Sequence, residues 1–299
     1  MKLKDYITLG NLLAGLGAVV ALIEHDFDAA CYLVFIAYVF DNLDGPVARL
    51  TKQFDEFGAH LDTACDFVSN SIAAPFLIYY AFRFHAGYAP WLAASIAAVP
   101  AALGTIRQAK GGVESLSYPG YFLGLPRPAS ALLFIALINS SLWRVPELRD
   151  AWGWLIYPAS ALIVVAVSVL HVNYFPFASN KHRRWLKWMW IGKHAFLTLS
   201  PIVFLVGWLG FDYPAVIFDY ICFCLSVYIF LSWTQIPKGD WRRIRHYIKT
   251  REVLLPLVHT SGEWRPQGFL LPVLEDTTAW DEEIEAAERR AREGEGGSL

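Results

Sequence analysis

The chain has 299 residues, of which 56% are hydrophobic and only 17% charged. So few charges argue against a water-soluble domain of this size and against nucleic acid as a partner. The formal net charge of −2 says little as a total, but the distribution of the charges is informative.

The apolar residues fall in blocks long enough to cross a bilayer, which takes roughly 20 residues per helix. In chain order, eight spans are expected: Ile7–Ile23, Ala29–Leu50, Leu61–Phe82, Ala89–Ile106, Phe122–Ser141, Trp152–Asn173, Trp188–Leu209 and Tyr213–Thr234. The first reads as a retained helix, since no small-residue cleavage site follows it. The expected fold is therefore all-α, a polytopic membrane bundle over residues 1–237. A cytoplasmic tail, residues 238–299, begins basic (Lys238–Arg251) and turns acidic (Asp276–Glu295). Cys31, Cys65, Cys222 and Cys224 all lie in apolar blocks without metal-finger spacing and read as buried small hydrophobes.

Lysine and arginine set the orientation. With eight spans, Lys2, Lys4, Arg49, Arg107, Arg127 and Lys181 share one side with the tail, while Arg83, Arg144 and Arg149 fall opposite. Both termini are expected in the cytoplasm. Trp185, Trp188 and Trp190 read as an interfacial belt. His60, His171, His182 and His194 lack paired ligand spacing and read as structural.

Ionisable residues inside apolar spans are costly and point to function. Asp41, Asp44, Gly45 and Ala48 stand at i, i+3, i+4 and i+7, one stripe of a helix. Gly58, Asp62 and Asp66 stand at i, i+4 and i+8 on the next. A short turn around Lys52–Phe57 makes the two helices antiparallel neighbours, so the stripes face each other near the cytoplasmic end. Four carboxylates this close repel unless cations compensate them, and hard divalent ions suit oxygen ligands. Two such ions clamp a phosphoryl centre during displacement. Gly45, Ala48 and Gly58 leave room for a nucleotide against the backbone, and Arg49 offers a fork suited to phosphate. Helix capping alone explains Asp55 and Glu56 but not four facing carboxylates.

The pattern Asp41-x-x-Asp44-Gly45-x-x-Ala48-Arg49, eight residues, Gly58-x-x-x-Asp62-x-x-x-Asp66 resembles the full signature of the CDP-alcohol phosphatidyltransferase family. The opening Ile7–Gly15 is similar to that family's first helix. The resemblance implies two divalent ions, Mg2+ or Mn2+, on Asp41, Asp44, Asp62 and Asp66, with Asp66 also the general base. It implies a CDP-lipid pocket lined by Gly45, Ala48, Arg49, Thr51 and Gly58. It further implies an integral protein of a bacterial or archaeal cytoplasmic membrane, acting at the cytoplasmic face, and leaves a homodimer open.

Tyr121–Ala129 resembles the Phe-x-Gly-Leu-Pro-x-Pro segment of phosphatidylserine synthases, a branch of that family. Asn173–Phe177 is loosely similar to their tyrosine-proline turn. The implied donor is CDP-diacylglycerol and the implied acceptor serine, with Arg107, Gly124, Arg127 and Lys181 as candidate acceptor-binding residues. Glycerol phosphate, inositol phosphate or choline as acceptor, or an archaeal ether lipid as donor, keeps the same chemistry. A cation transporter would carry its carboxylates through the midplane on repeats, and none is visible here. An aspartate-rich prenyltransferase would need a second acidic motif.

Overall fold

The computed structural model describes residues 2–51, 56–113, 116–118, 121–178, 203, 216–236, 241, 244–245 and 247–249. The first helix, α1 (Leu3–Ile23), begins where Asp5 turns back on the chain. The Lys2 N–H donates to Asp5 Oδ2 at 2.6 Å, and the Asp5 N–H donates to Lys2 O at 3.0 Å. These bonds satisfy donors that a helix start leaves orphaned.

Along α1, Asp5, Thr8, Asn11, Gly15, Ala18 and Leu22 are buried, while Tyr6, Leu13, Leu16, Val20 and Ile23 are exposed. Polar groups inside and apolar groups outside invert the pattern of a soluble helix and fit a lipid surround. α2 (Phe27–Thr51) returns antiparallel along it. α3 (Glu56–Asp66) passes without a break into a π-helical segment, Phe67–Ala73, then α4 (Ala74–Tyr80) and a second π segment, Ala81–His85. A Cβ on Gly15 would lie 3.1 Å from Ser69 Cα, so glycine is what allows α1 this close to the first π segment.

α5 (Pro90–Val113) leads to strands β1 (Ser117–Tyr118) and β2 (Tyr121–Leu123). α6 (Arg127–Ile138), the short α7 (Ser141–Arg144) and α8 (Pro146–Val169) follow, then β3 (Pro176–Ala178) and α9 (Val216–Leu231). The core gathers Leu77, Ile78, Phe82, Phe134, Ile135 and Ile221. Among the described residues, three helices are long and apolar enough to cross a membrane: Leu3–Ile23, Pro90–Val113 and Pro146–Val169. The chain is an integral membrane protein.

Two expectations need correction. The fold is mostly helical but not all-α: β1, β2 and β3 form an antiparallel sheet in that order, with Phe122 opposite Phe177. The fifth span does not begin at Phe122, because that residue lies in β2 and the helix starts at Arg127. Pro126 is extended at ψ 137° and caps the helix, which runs for 12 residues. At about 1.5 Å per residue, that is about 18 Å, short of a roughly 30 Å hydrocarbon core. α6 is instead the buried centre of the bundle, with every residue from Ser130 to Ile138 buried. The third expected span is part of a longer helical run, Glu56 through His85. The sixth is α8, which ends at Val169 and leaves His171 in the turn beyond it. The seventh, Trp188–Leu209, lies outside the described residues except Val203, as do Trp185 and most of the tail. Ile244 and Tyr247, from the start of that tail, pack with Tyr121 and Leu123 of β2.

The turn after β2 is fixed by one glycine. Gly124 has φ +77°, and its N–H donates to Phe175 O at 2.7 Å. A Cβ there would lie 2.5 Å from Arg107 Nη1, 2.6 Å from Asn173 O and 2.9 Å from His171 O. Gly87 has a similar φ, +70°, but nothing within 4 Å of its Cβ position. Both alanine variants share the left-handed strain, and only one adds a clash. Gly124→Ala should therefore destabilise the detergent-solubilised protein by about 1–3 kcal/mol more than Gly87→Ala. Thermal unfolding of the two variants side by side checks this, and equal losses would contradict it.

Candidate active site

The two carboxylate stripes meet as their spacing predicts. α2 supplies Asp41 and α3 supplies Asp62 and Asp66, and one ligand oxygen from each lies within 4.8 Å of the others. Asp44 stands beside this trio, in hydrogen-bonding reach of Asp62, as Asp41 is of Asp66. The π segment begins at Phe67, directly after Asp66, a place where such irregularities often mark a site.

α1 holds two of these carboxylates in place. Thr8 Oγ1 donates to Asp44 Oδ2 at 3.1 Å, and Asn11 Nδ2 donates to Asp66 Oδ1 at 3.0 Å. Asn11 is fully buried. In the sequence both residues stand only within Ile7–Gly15, the stretch similar to the family's first helix. Their place in the buried polar stripe of α1 was the available signal.

The cation facing the trio from α6 is Arg127, whose guanidinium interacts electrostatically with Asp66, Asp41 and Asp62. Its Nη1 bonds Gln108 Oε1 and reaches Ser71 Oγ at 3.5 Å. Gln108 Nε2 in turn donates to Thr63 O at 2.8 Å, which ties α5 to the residue after Asp62. Lys4 contributes a second favourable charge toward Asp62.

The remaining candidates divide. Ala48 and Gly58 are buried within α2 and α3. Thr51 donates its hydroxyl to Val47 O at 2.7 Å, within its own helix. Gly45 and Arg49 belong to α2, but the surroundings of both positions lie outside the described residues, as does Lys181. Arg107 is not brought against the carboxylates. It is buried, and its Nη1 donates to Leu123 O and His171 O, both at 2.9 Å. That geometry fastens β2 to the end of α8. Gly124 is in the same turn and leaves room for that guanidinium.

The trio fits a metal. All its donors are carboxylate oxygens, the set preferred by hard divalent cations. Asp62 Oδ1 is buried with no hydrogen-bond partner among the described residues. An oxygen-only cluster in an apolar helix bundle defines a membrane protein with a site that could hold a metal ion.

The chain belongs to the CDP-alcohol phosphatidyltransferase family, whose profile matches residues 1–228. It is 38% identical over 145 residues to a CDP-diacylglycerol–serine O-phosphatidyltransferase of Methanocaldococcus jannaschii, covering 48% of this chain and 64% of the relative. A Helicobacter pylori protein of the same name is 29% identical over 135 residues, covering 45% of this chain and 56% of that one. An archaetidylserine synthase of Methanothermobacter thermautotrophicus is 30% identical over 178 residues, covering 58% and 68%. The chain thus spans under two thirds of the first two relatives.

If the trio holds the metal, removing one ligand oxygen weakens binding without requiring turnover. Asp62→Asn should lower Mn2+ affinity, read by titration calorimetry on the purified protein, by at least about tenfold. Wild-type affinity in that variant would remove Asp62 from the ligand set.

Proposed function

We propose that the protein transfers the phosphatidyl group of CDP-diacylglycerol to L-serine and releases CMP. The observation that carries the reading is the convergence of Asp41, Asp62 and Asp66 beside Arg127, at the mouth of the turn that resembles the phosphatidylserine synthase segment. The names of the relatives from M. jannaschii and H. pylori favour serine over glycerol phosphate, inositol phosphate or choline. The archaetidylserine synthase relative keeps an ether-lipid donor as the second reading.

Asp41, Asp44, Asp62 and Asp66 would hold two Mg2+ or Mn2+ ions, which would supply charge stabilisation to the diphosphate. Asp66 takes the proton from the serine hydroxyl. The hydroxyl oxygen then forms its bond to the lipid-side phosphorus while the bond from that phosphorus to the CMP oxygen breaks. Asn11 fixes the orientation of Asp66 through its 3.0 Å bond. Gly45, Ala48, Arg49, Thr51 and Gly58 line the CDP-lipid side, as the resemblance implies. Arg127 takes the serine carboxylate, and Arg107 holds the turn that presents it. Both termini in the cytoplasm and a cytoplasmic-face site complete the reading. Its support is the bias of lysine and arginine toward one side.

Asp66→Asn should abolish CMP release while leaving CDP-lipid affinity nearly intact. More than a few per cent residual turnover would remove Asp66 as base.

Arg127→Ala should raise the serine KM by roughly ten- to a hundredfold, the loss of one charged hydrogen bond. The KM for the CDP-lipid should move much less. CMP release measured against serine concentration decides this. An unchanged serine dependence would make Arg127 a packing residue only. Turnover with glycerol phosphate and none with serine would reassign the acceptor.

A further inference from the structure

A narrow polar wedge, the space of one missing methyl group, lies beside Arg127. Its floor is Gly104 of α5, where a Cβ would lie 3.3 Å from Ser71 Oγ, 3.7 Å from His171 Nδ1 and 3.8 Å from Arg127 Cδ. Ser71 and His171 are each only 4% exposed. His171 Nδ1 is buried and has no hydrogen-bond partner among the described residues. Buried polar atoms in native proteins find partners, so this nitrogen is suited to meet a group the substrate brings.

The neighbouring bonds fix what it can do. Ser130 Oγ donates to Arg127 O at 2.8 Å and lies 2.6 Å from His171 Nε2. A hydroxyl has one proton, so with it given to Arg127 O, Ser130 accepts from Nε2–H. His171 Nδ1 is then a bare lone pair. Burial, then the Arg107 and Arg127 guanidiniums, push the imidazole down to about 3, so the ring stays neutral. The wedge thus offers one bare acceptor, and Arg127 is the neighbouring guanidinium not bonded to backbone carbonyls among the described residues. An α-amino acid offers the complement, an ammonium and a carboxylate.

We propose that His171 Nδ1 accepts a hydrogen bond from the ammonium of the acceptor serine, whose carboxylate lies on Arg127, with Gly104 keeping the wedge open. This rests on serine being the acceptor. It assigns His171 a binding role that its lack of paired ligand spacing concealed.

The test measures CMP release by the full chain in mixed micelles with CDP-diacylglycerol. L-serine is compared with L-glycerate, which has the same configuration and carries a hydroxyl in place of the ammonium, read as substrate or competitor. His171→Gln keeps a donor toward Ser130 and removes the Nδ1 acceptor. It should raise the serine KM about tenfold or more, with kcat at saturating serine and the glycerate constants changed far less. His171→Asn places a carbonyl oxygen near the Nδ1 position and should stay within about threefold of wild type. Gly104→Ala guards against misfolding, since alanine favours a helix interior over glycine. Its methyl group narrows the wedge and should also raise the serine KM several-fold. Unchanged serine KM in both His171→Gln and Gly104→Ala would overturn the proposal, and so would equal losses with serine and glycerate. Wild-type protein that uses another alcohol and not serine overturns the serine reading itself, a result distinct from either.

Discussion

Four carboxylates sit among helices whose other surfaces are built for lipid. Each half-buried anion carries a desolvation cost, and their mutual repulsion adds to it. Much of the neighbouring architecture is a response to that charge. α1 turns a polar stripe inward, so that Thr8 and Asn11 donate to Asp44 and Asp66. α6 brings Arg127 to the same point, and Gln108 and Ser71 hold its guanidinium. Hard cations complete the compensation in the proposed mechanism, and that places a diphosphate ester beside the same carboxylates.

The second constraint is the short sheet. It joins the end of α5 to the end of α8, with Arg107 bonded to a carbonyl from each side. Gly124 must be glycine for that guanidinium to fit. The same turn sets Pro126 as the cap of α6 and so fixes where Arg127 begins the helix. The position of the cation relative to the carboxylates thus follows from a three-stranded ribbon and one left-handed residue.

The carboxylate stripes were legible in the sequence because helical spacing is local: positions three and four apart share a face whatever the tertiary context. The partners of those carboxylates were not, since Thr8 and Asn11 lie 36 and 55 residues away from Asp44 and Asp66. The sheet was hidden for the same reason. Strands of two or three residues carry no periodicity, and β3 pairs with β2 across the whole of α6 to α8. Phe122–Leu125 is as apolar as the helix that follows, so the pattern alone ran them together. The Gly-Leu-Pro-Arg-Pro run was the available stop signal. His171 looked structural because its meaning depends on Ser130, 41 residues earlier, and on an orphaned ring nitrogen.

The central claim is that the facing stripes of α2 and α3 bind divalent metal. A crystal of the full chain soaked in Mn2+ and measured at the manganese absorption edge tests this most directly. The account predicts two anomalous peaks, each within ligand distance of oxygens from Asp41, Asp44, Asp62 or Asp66. A well-ordered site with no anomalous density there, or manganese bound only elsewhere, would contradict it.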